Sequence, residues 1–229
     1  NASDGGYSMI DYLIENRSLL GLKIGEHFLI SIVALMIGTV IAVPTGILIT
    51  KSPKLSQVVI SFCSVLQTIP SLALLAIMVP LFGVGKLPAI IALAIYSLLP
   101  ILRNTYLGMN SVDKNIIDAS KGMGMKWIQI VAHVKVPLAL PVIMSGIRLS
   151  AVYMVAWATL ASYIGAGGLG DFIFMGLNNF NFYAIIAGTV PVTLMALLFD
   201  GLLSIVERKL TPKISRDISH QSGKESANV

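Results

Sequence analysis

Arg148 and Asp200 each interrupt a long, otherwise uncharged apolar run, at residues 138–164 and 183–206. A charge left alone in hydrocarbon costs roughly 3 kcal/mol or more, so each needs a counter-charge, a wet cavity or a route to the surface. A mutual pair meets that need, as does snorkelling of Arg148. Neither stands among carboxylates or histidines that could relay protons, so a structural role is expected of both. Tyr153 and Trp157 are one helical turn apart, and aromatic faces attract quaternary ammonium groups. Ordinary packing along a helix stripe accounts for the same spacing. Gln67, Thr68, Ser71, Tyr96, Ser97 and Thr159 are further polar side chains in or beside apolar runs. Together with Tyr153 and Trp157 they are the candidates for lining a passage that weakly accepts a small polar solute.

The rest of the inventory excludes most catalysis. His27, His133 and His220 are far apart and lack metal-ligand spacing, so no metal site is expected. No Ser-His-Asp set, paired carboxylates or phosphate-binding loop is present, so the chain is not expected to be an enzyme or to hydrolyse ATP by itself. "GAGGLG" at 165–170 has the spacing G-x-G-x-x-G. Dinucleotide binding requires that spacing after a strand, opening a helix within a βαβ unit, and here it follows an apolar span. Gly165, Gly167, Gly168 and Gly170 are expected to form a flexible turn on the outer face. Cys63, the single cysteine, has no internal disulfide partner and reads as a small buried hydrophobe.

The elements that hold these residues follow from composition. The chain has 229 residues, 55% hydrophobic and 12% charged, with a mean hydropathy of +0.84. Soluble domains carry about 25% charged residues. The natural solvent of this chain is a lipid bilayer. Runs at 28–50, 55–85, 87–102 (extended past Arg103 by Tyr106 and Leu107), 138–164 and 183–206 approach or exceed the ~20 residues a span needs. The second run is longer than necessary and can tilt or end in a re-entrant piece. Prolines at 44, 70, 80, 100, 141 and 191 fall within or at the ends of these runs, as packing kinks or as hinges around a passage.

Net charge is +5, and its distribution speaks of topology rather than nucleic acid. Lys51, Lys54, Arg103, Lys114, Lys121, Lys126, Lys135, Arg208, Lys209, Lys213, Arg216 and Lys224 share one side; Arg17, Lys23 and Lys86 are left for the other. The positive-inside bias places the N-terminus outside and the C-terminus in the cytoplasm of a multi-pass cell-membrane protein. Residues 1–8 look like an expression scar. Residues 9–26 are too polar to span and are expected to lie on the outer surface as a short helix. Residues 211–229 read as a loose basic cytoplasmic tail. The expected fold is an all-α integral membrane domain over 27–210, with about five transmembrane helices, an N-terminal interfacial helix and a cytoplasmic helix-turn-helix at 111–137.

That cytoplasmic loop has its own pattern. Asp113 can cap a helix through Ile116, Ile117 and Ala119. Gly122 and Gly124 are expected to end it in the left-handed conformation. A second helix from about Lys126 sets Trp127, Ile130, Val131 and Val134 on one face at i, i+3, i+4 and i+7. Pro137 is expected to stop it. A rigid amphipathic knob suits docking into a partner's groove, with Ala119 and Ser120 small enough for close approach. Packing of that face under the chain's own bundle remains the alternative.

The loop resembles that of permease subunits of binding-protein-dependent ABC importers, which carry E-A-A, three residues, G, nine residues, I-x-L-P. Here the same spacing reads Asp118-Ala119-Ser120, then Gly124, then Val134-Lys135-Val136-Pro137. Aspartate replaces glutamate, serine the second alanine, and valines the isoleucine and leucine. Stretches 66–93, 99–113 and 162–177 are similar to the permeases of osmoprotectant importers for glycine betaine, carnitine and choline, within the methionine-permease-like superfamily. The resemblance implies an ATPase-coupling role for the loop, with ATP and Mg²⁺ bound on a partner ATP-binding subunit and no cofactor on this chain. It also implies a second permease subunit, identical or homologous, an extracellular substrate-binding protein, and an outer gate or receptor contact at the glycine turn. A related importer for another small cation or zwitterion remains open. A secondary transporter would want intramembrane carboxylates for ion coupling or inverted repeats, and Asp200 stands alone.

Overall fold

A computed structural model describes residues 8–210. The expected scar, Ser8 apart, and the expected tail lie outside the described residues.

Helix formation follows the apolar runs. In chain order the elements are α1 (Met9–Glu15), α2 (Arg17–Ile49), α3 (Pro53–Thr68), α4 (Ser71–Phe82), α5 (Lys86–Asn110), α6 (Lys114–Gly122) and α7 (Trp127–Ile130). A π-helical turn at Val131–Lys135 leads into α8 (Val136–Ala158), and a 3₁₀ turn at Leu160–Ile164 precedes α9 (Gly170–Asn178) and α10 (Phe182–Leu210). Arg17–Ile49, Lys86–Asn110, Trp127–Ala158 and Phe182–Leu210 are each long and apolar enough to cross a membrane. α3 and α4 meet at a bend of 94° and together make a broken span or a re-entrant loop. The overlong second run therefore resolves into a break at Ile69 and Pro70.

Residues 9–26 do not form one surface helix. Ser8 caps α1: its hydroxyl accepts from the Asp11 N–H at 3.3 Å, and the Asp11 carboxylate accepts from the Ser8 N–H at 2.8 Å. That backbone donor holds the Asp11 carboxyl below its ordinary range. The chain turns at Asn16, and Arg17 onward is already the start of α2. Lys23 and Glu26 made this stretch look too polar for a long helix. They are neutralised by partners far along the chain, described below, so the helix continues through them.

Two compact units are present. The first comprises residues 8–38, 66–97 and 151–199. Tyr12, Phe172, Ala184 and Ala187 are buried there, with Met9, Leu13, Leu20 and Tyr183 packed around them. The second comprises residues 39–65, 98–150 and 200–210. Its core gathers Met109, Val131, Ala139 and Ile143 against Val43, Ile47, Val136 and Ile147. In lipid the hydrophobic effect does not hold helices together; close van der Waals contact between small residues does. Gly146 supplies such a contact: a Cβ there would lie 2.9 Å from the Pro100 carbonyl oxygen and 2.6 Å from Asn104 Cβ.

Candidate functional site

The loop between α5 and α8 forms as a helix, a glycine turn and a second helix. The Asp113 carboxylate accepts from the Asn115 N–H at 2.8 Å and caps α6. The C-terminal end is closed by N–H donation from Met123 to the Ala119 carbonyl and from Met125 to the Ser120 carbonyl. Gly124 alone is left-handed, at φ +79°; Gly122 is the last residue of α6, and Met123 after it has φ −77°. The expectation of two left-handed glycines is thus corrected to one. A single positive-φ residue is enough to reverse the chain once the last carbonyls are satisfied. α7 opens with the Lys126 N–H donated to Gln129 Oε1 at 2.7 Å.

Pro137 does not stop the second helix. The π turn immediately before it pairs the Val136 N–H with the Val131 carbonyl, and the helix runs on to Ala158. Proline lacks an N–H and its ring crowds the carbonyl four residues back; a widened turn there removes both conflicts.

The apolar face of the second helix splits. Ile130 and Val131 are buried, Val134 is half-buried, and Trp127 is exposed with the Lys51 ammonium 4.0 Å from its ring centroid. Val131 and Val136 pack into the chain's own core. Much of the predicted docking face therefore roots the loop. The surface turned outward is instead Asp118, Ala119, Met123 and Ile128, with Asp118 ion-paired to Lys121 at 2.8 Å. Ser120 points inward and donates to the Ile116 carbonyl at 2.7 Å.

Among the passage candidates, the first unit brings four together. The Tyr96 hydroxyl donates to the Ile69 carbonyl at 2.5 Å, at the α3–α4 break. Gln67 Nε2 donates to the Tyr96 carbonyl at 3.0 Å. The Tyr96 and Trp157 rings lie 4.8 Å apart, and Tyr153 and Trp157 5.3 Å apart. Tyr96 is 3% exposed and Tyr153 38%, so the stack has an anchored inner ring and an open outer one. Thr68 and Ser71 flank the break. Ser97 is not a lining residue: it is buried, donates to the Ala94 carbonyl at 2.7 Å and packs against Gly38. Thr159 donates to the Ala156 carbonyl at 2.7 Å.

The glycine stretch is tightly held rather than flexible. Gly165, Gly167 and Gly168 are left-handed, at φ +72°, +79° and +88°. Gly167, Gly168 and Gly170 are buried. The Gly168 N–H donates to Glu26 Oε2 at 3.1 Å. Glu26 also holds Lys23 at 3.0 Å and Lys86 at 2.8 Å, and Lys23 reaches Asp171 at 2.6 Å. A Cβ on Gly167 would collide with the Glu26 carboxylate, and one on Gly168 would sit 3.1 Å from His27 Nδ1. His27 is fully buried and donates through Nε2 to the Val155 carbonyl at 2.9 Å. Glycine is required here for close approach, and the loop is held by two charges of each sign. Sequence reading missed Lys23, Glu26, Lys86 and Asp171 because each looks like ordinary surface polarity along the chain.

Arg148 and Asp200 do pair. The guanidinium donates to both Asp200 oxygens, at 2.9 and 3.1 Å, and to Glu207 at 2.9 Å. Glu207 lies two helical turns beyond Asp200 on α10, a spacing that would have shown it to be a second carboxylate on the same face.

A family model described as "Binding-protein-dependent transport system inner membrane component" matches residues 34–212. The carnitine transport permease protein OpuCB of Listeria monocytogenes is 54% identical, covering 92% of this chain and 96% of that protein. The glycine betaine/carnitine/choline transport system permease protein OpuCB of Bacillus subtilis (strain 168) is 51% identical, covering 90% of this chain and 94% of its own length. Among solved structures, an inward-facing form of the MetNI methionine ABC transporter has a TM-score of 0.79 at 24% identity. It covers 86% of this chain and 99% of the other, and it establishes the fold alone.

Proposed function

The chain belongs to the family of binding-protein-dependent transport system inner membrane components, and from that membership we propose what it carries and what drives it. It is the multi-pass permease of an importer for small quaternary-ammonium or zwitterionic osmoprotectants, of the glycine betaine, carnitine and choline class. The observation that carries this reading is 54% identity along 92% of the chain to a carnitine permease. The Tyr96, Tyr153 and Trp157 stack supports it chemically, since ring faces bind N-methylated cations without a fixed counter-charge.

In this reading the chain supplies half of the path and a second permease, identical or homologous, supplies the rest. ATP and Mg²⁺ bind on a partner ATPase that docks on the loop around Gly124 from the cytoplasm. The N-terminus lies outside and the C-terminus inside. Hydrolysis moves the loop, and its two flanking helices, α5 and the run from α7 into α8, carry the displacement into the membrane. An extracellular receptor holds the solute tightly, while the path holds it weakly, because a tightly held solute would not leave.

The test is co-purification of the permease with its ATPase, followed by reconstitution with the receptor in proteoliposomes. ATP-dependent uptake of labelled glycine betaine, carnitine or choline is the expected result. A permease that purifies without an ATP-hydrolysing partner, or an intact assembly that takes up none of the three, overturns the proposal.

A further inference from the structure

A groove that shares no residue with the Tyr96 and Trp157 stack lies within the same unit. Tyr163, Asp171, Phe174, Met175, Asn178 and Asn179 line an open groove of about 590 Å³, within the roughly 300–1,000 Å³ typical of small-molecule sites. The Tyr163 and Phe174 rings meet at 4.2 Å between centroids with their planes 55° apart, forming an aromatic corner. The Asp171 carboxylate stands on the same wall, with one oxygen held by Lys23 at 2.6 Å. Lys23, Glu26, Lys86 and Asp171 balance in sign, so the wall offers a carboxylate in a cluster of zero net charge. Aromatic faces, a compensated carboxylate and neutral amides are the set that suits a methylated ammonium carrying its own anionic or hydroxyl end.

We propose that this groove is a transit subsite for the quaternary ammonium head of the solute. It is distinct from the Tyr96 stack and sits beside the Gly165–Gly170 loop that Glu26 holds. The ligand class rests on the transport reading above. The N-methyl groups lie in the Tyr163 and Phe174 corner, and the positive charge faces Asp171. Two rings rather than a closed cage, and a carboxylate already shared with Lys23, make the site weak, which suits a solute that must move on.

The site is tested on the ATPase-bound permease in nanodiscs without the receptor, using saturation-transfer NMR of the choline N-methyl protons. Tyr163→Ala and Phe174→Ala are expected to weaken binding at least threefold each, and Tyr163→Phe, which keeps the ring, to stay near wild type. In a Trp157→Ala background, which removes the other aromatic stack and leaves the groove intact, tetramethylammonium is expected to displace choline, and the neutral tert-butyl analogue of choline to compete at least threefold less well. This second measurement stands even if Tyr163→Ala or Phe174→Ala misfolds. Wild-type binding in both alanine variants, or equal competition by the neutral analogue, overturns the site while leaving the transporter reading intact. Failure of the complete assembly to import glycine betaine, carnitine or choline overturns that reading, and the ligand class assigned to this groove with it.

Discussion

Gly124 sits at φ +79° with nothing within 4 Å of where a Cβ would stand. A substitution there meets no neighbour, so its whole cost is backbone strain, about 1–2 kcal/mol for a β-branched residue and less for asparagine, which tolerates the left-handed region. Gly124→Val is therefore expected to distort the turn and cut transport per ATP hydrolysed several-fold, while Gly124→Asn stays close to wild type. Paired uptake and ATPase measurements on the reconstituted assembly check this; equal coupling in both variants would sink it. Gly124 was legible in the sequence because its neighbours in space are its neighbours in the chain. Glu26 was not: it accepts from the Gly168 N–H across 142 positions, and no local pattern announces that bond. The Arg148–Asp200 pair falls between these cases. Two lone charges in apolar runs pointed to each other, yet Glu207 was overlooked because it lies near the end of its helix among residues that read as surface.

At the level of elements, apolar length gave the spans, while their breaks and joins depended on details that periodicity does not carry. Pro137 looked like a terminator, and a π turn lets the helix through. Ile69 and Pro70 lie inside an unbroken apolar run, and the chain bends there by 94°. Packing between helices is where substitution tests are sharpest. Gly146→Ala places a methyl 2.9 Å from the Pro100 carbonyl oxygen, so α5 and α8 must separate. The expected cost is about 1–3 kcal/mol, seen as a clear fall in the detergent melting temperature. Gly201→Ala on α10 meets nothing within 4 Å and is expected to leave the melting temperature unchanged or slightly raised. Equal melting temperatures for the two variants would show that α5 and α8 do not depend on that close approach.

For the whole molecule, the basic residues argue for a sidedness that labelling can read. Met123 is 74% exposed at the turn between α6 and α7, and Phe180 is 95% exposed after α9; the positive-inside bias leads us to expect them on opposite sides of the membrane. In a Cys63→Ser background, a membrane-impermeant maleimide is expected to label Phe180→Cys in intact cells, and Met123→Cys only after permeabilisation. The reverse pattern would invert the topology and put the docking loop out of reach of any ATPase. A further consequence concerns Tyr96. In the membrane interior an unpaired carbonyl costs several kcal/mol, and the carbonyl freed at Ile69 is satisfied by the phenol of Tyr96. The same ring is stacked on Trp157. The elbow between α3 and α4 cannot straighten without first stripping its carbonyl of that donor. Any movement that unbends the elbow must therefore also disturb the contact between the Tyr96 and Trp157 rings, so that the aromatic pair and the flexing of the backbone share one fastening.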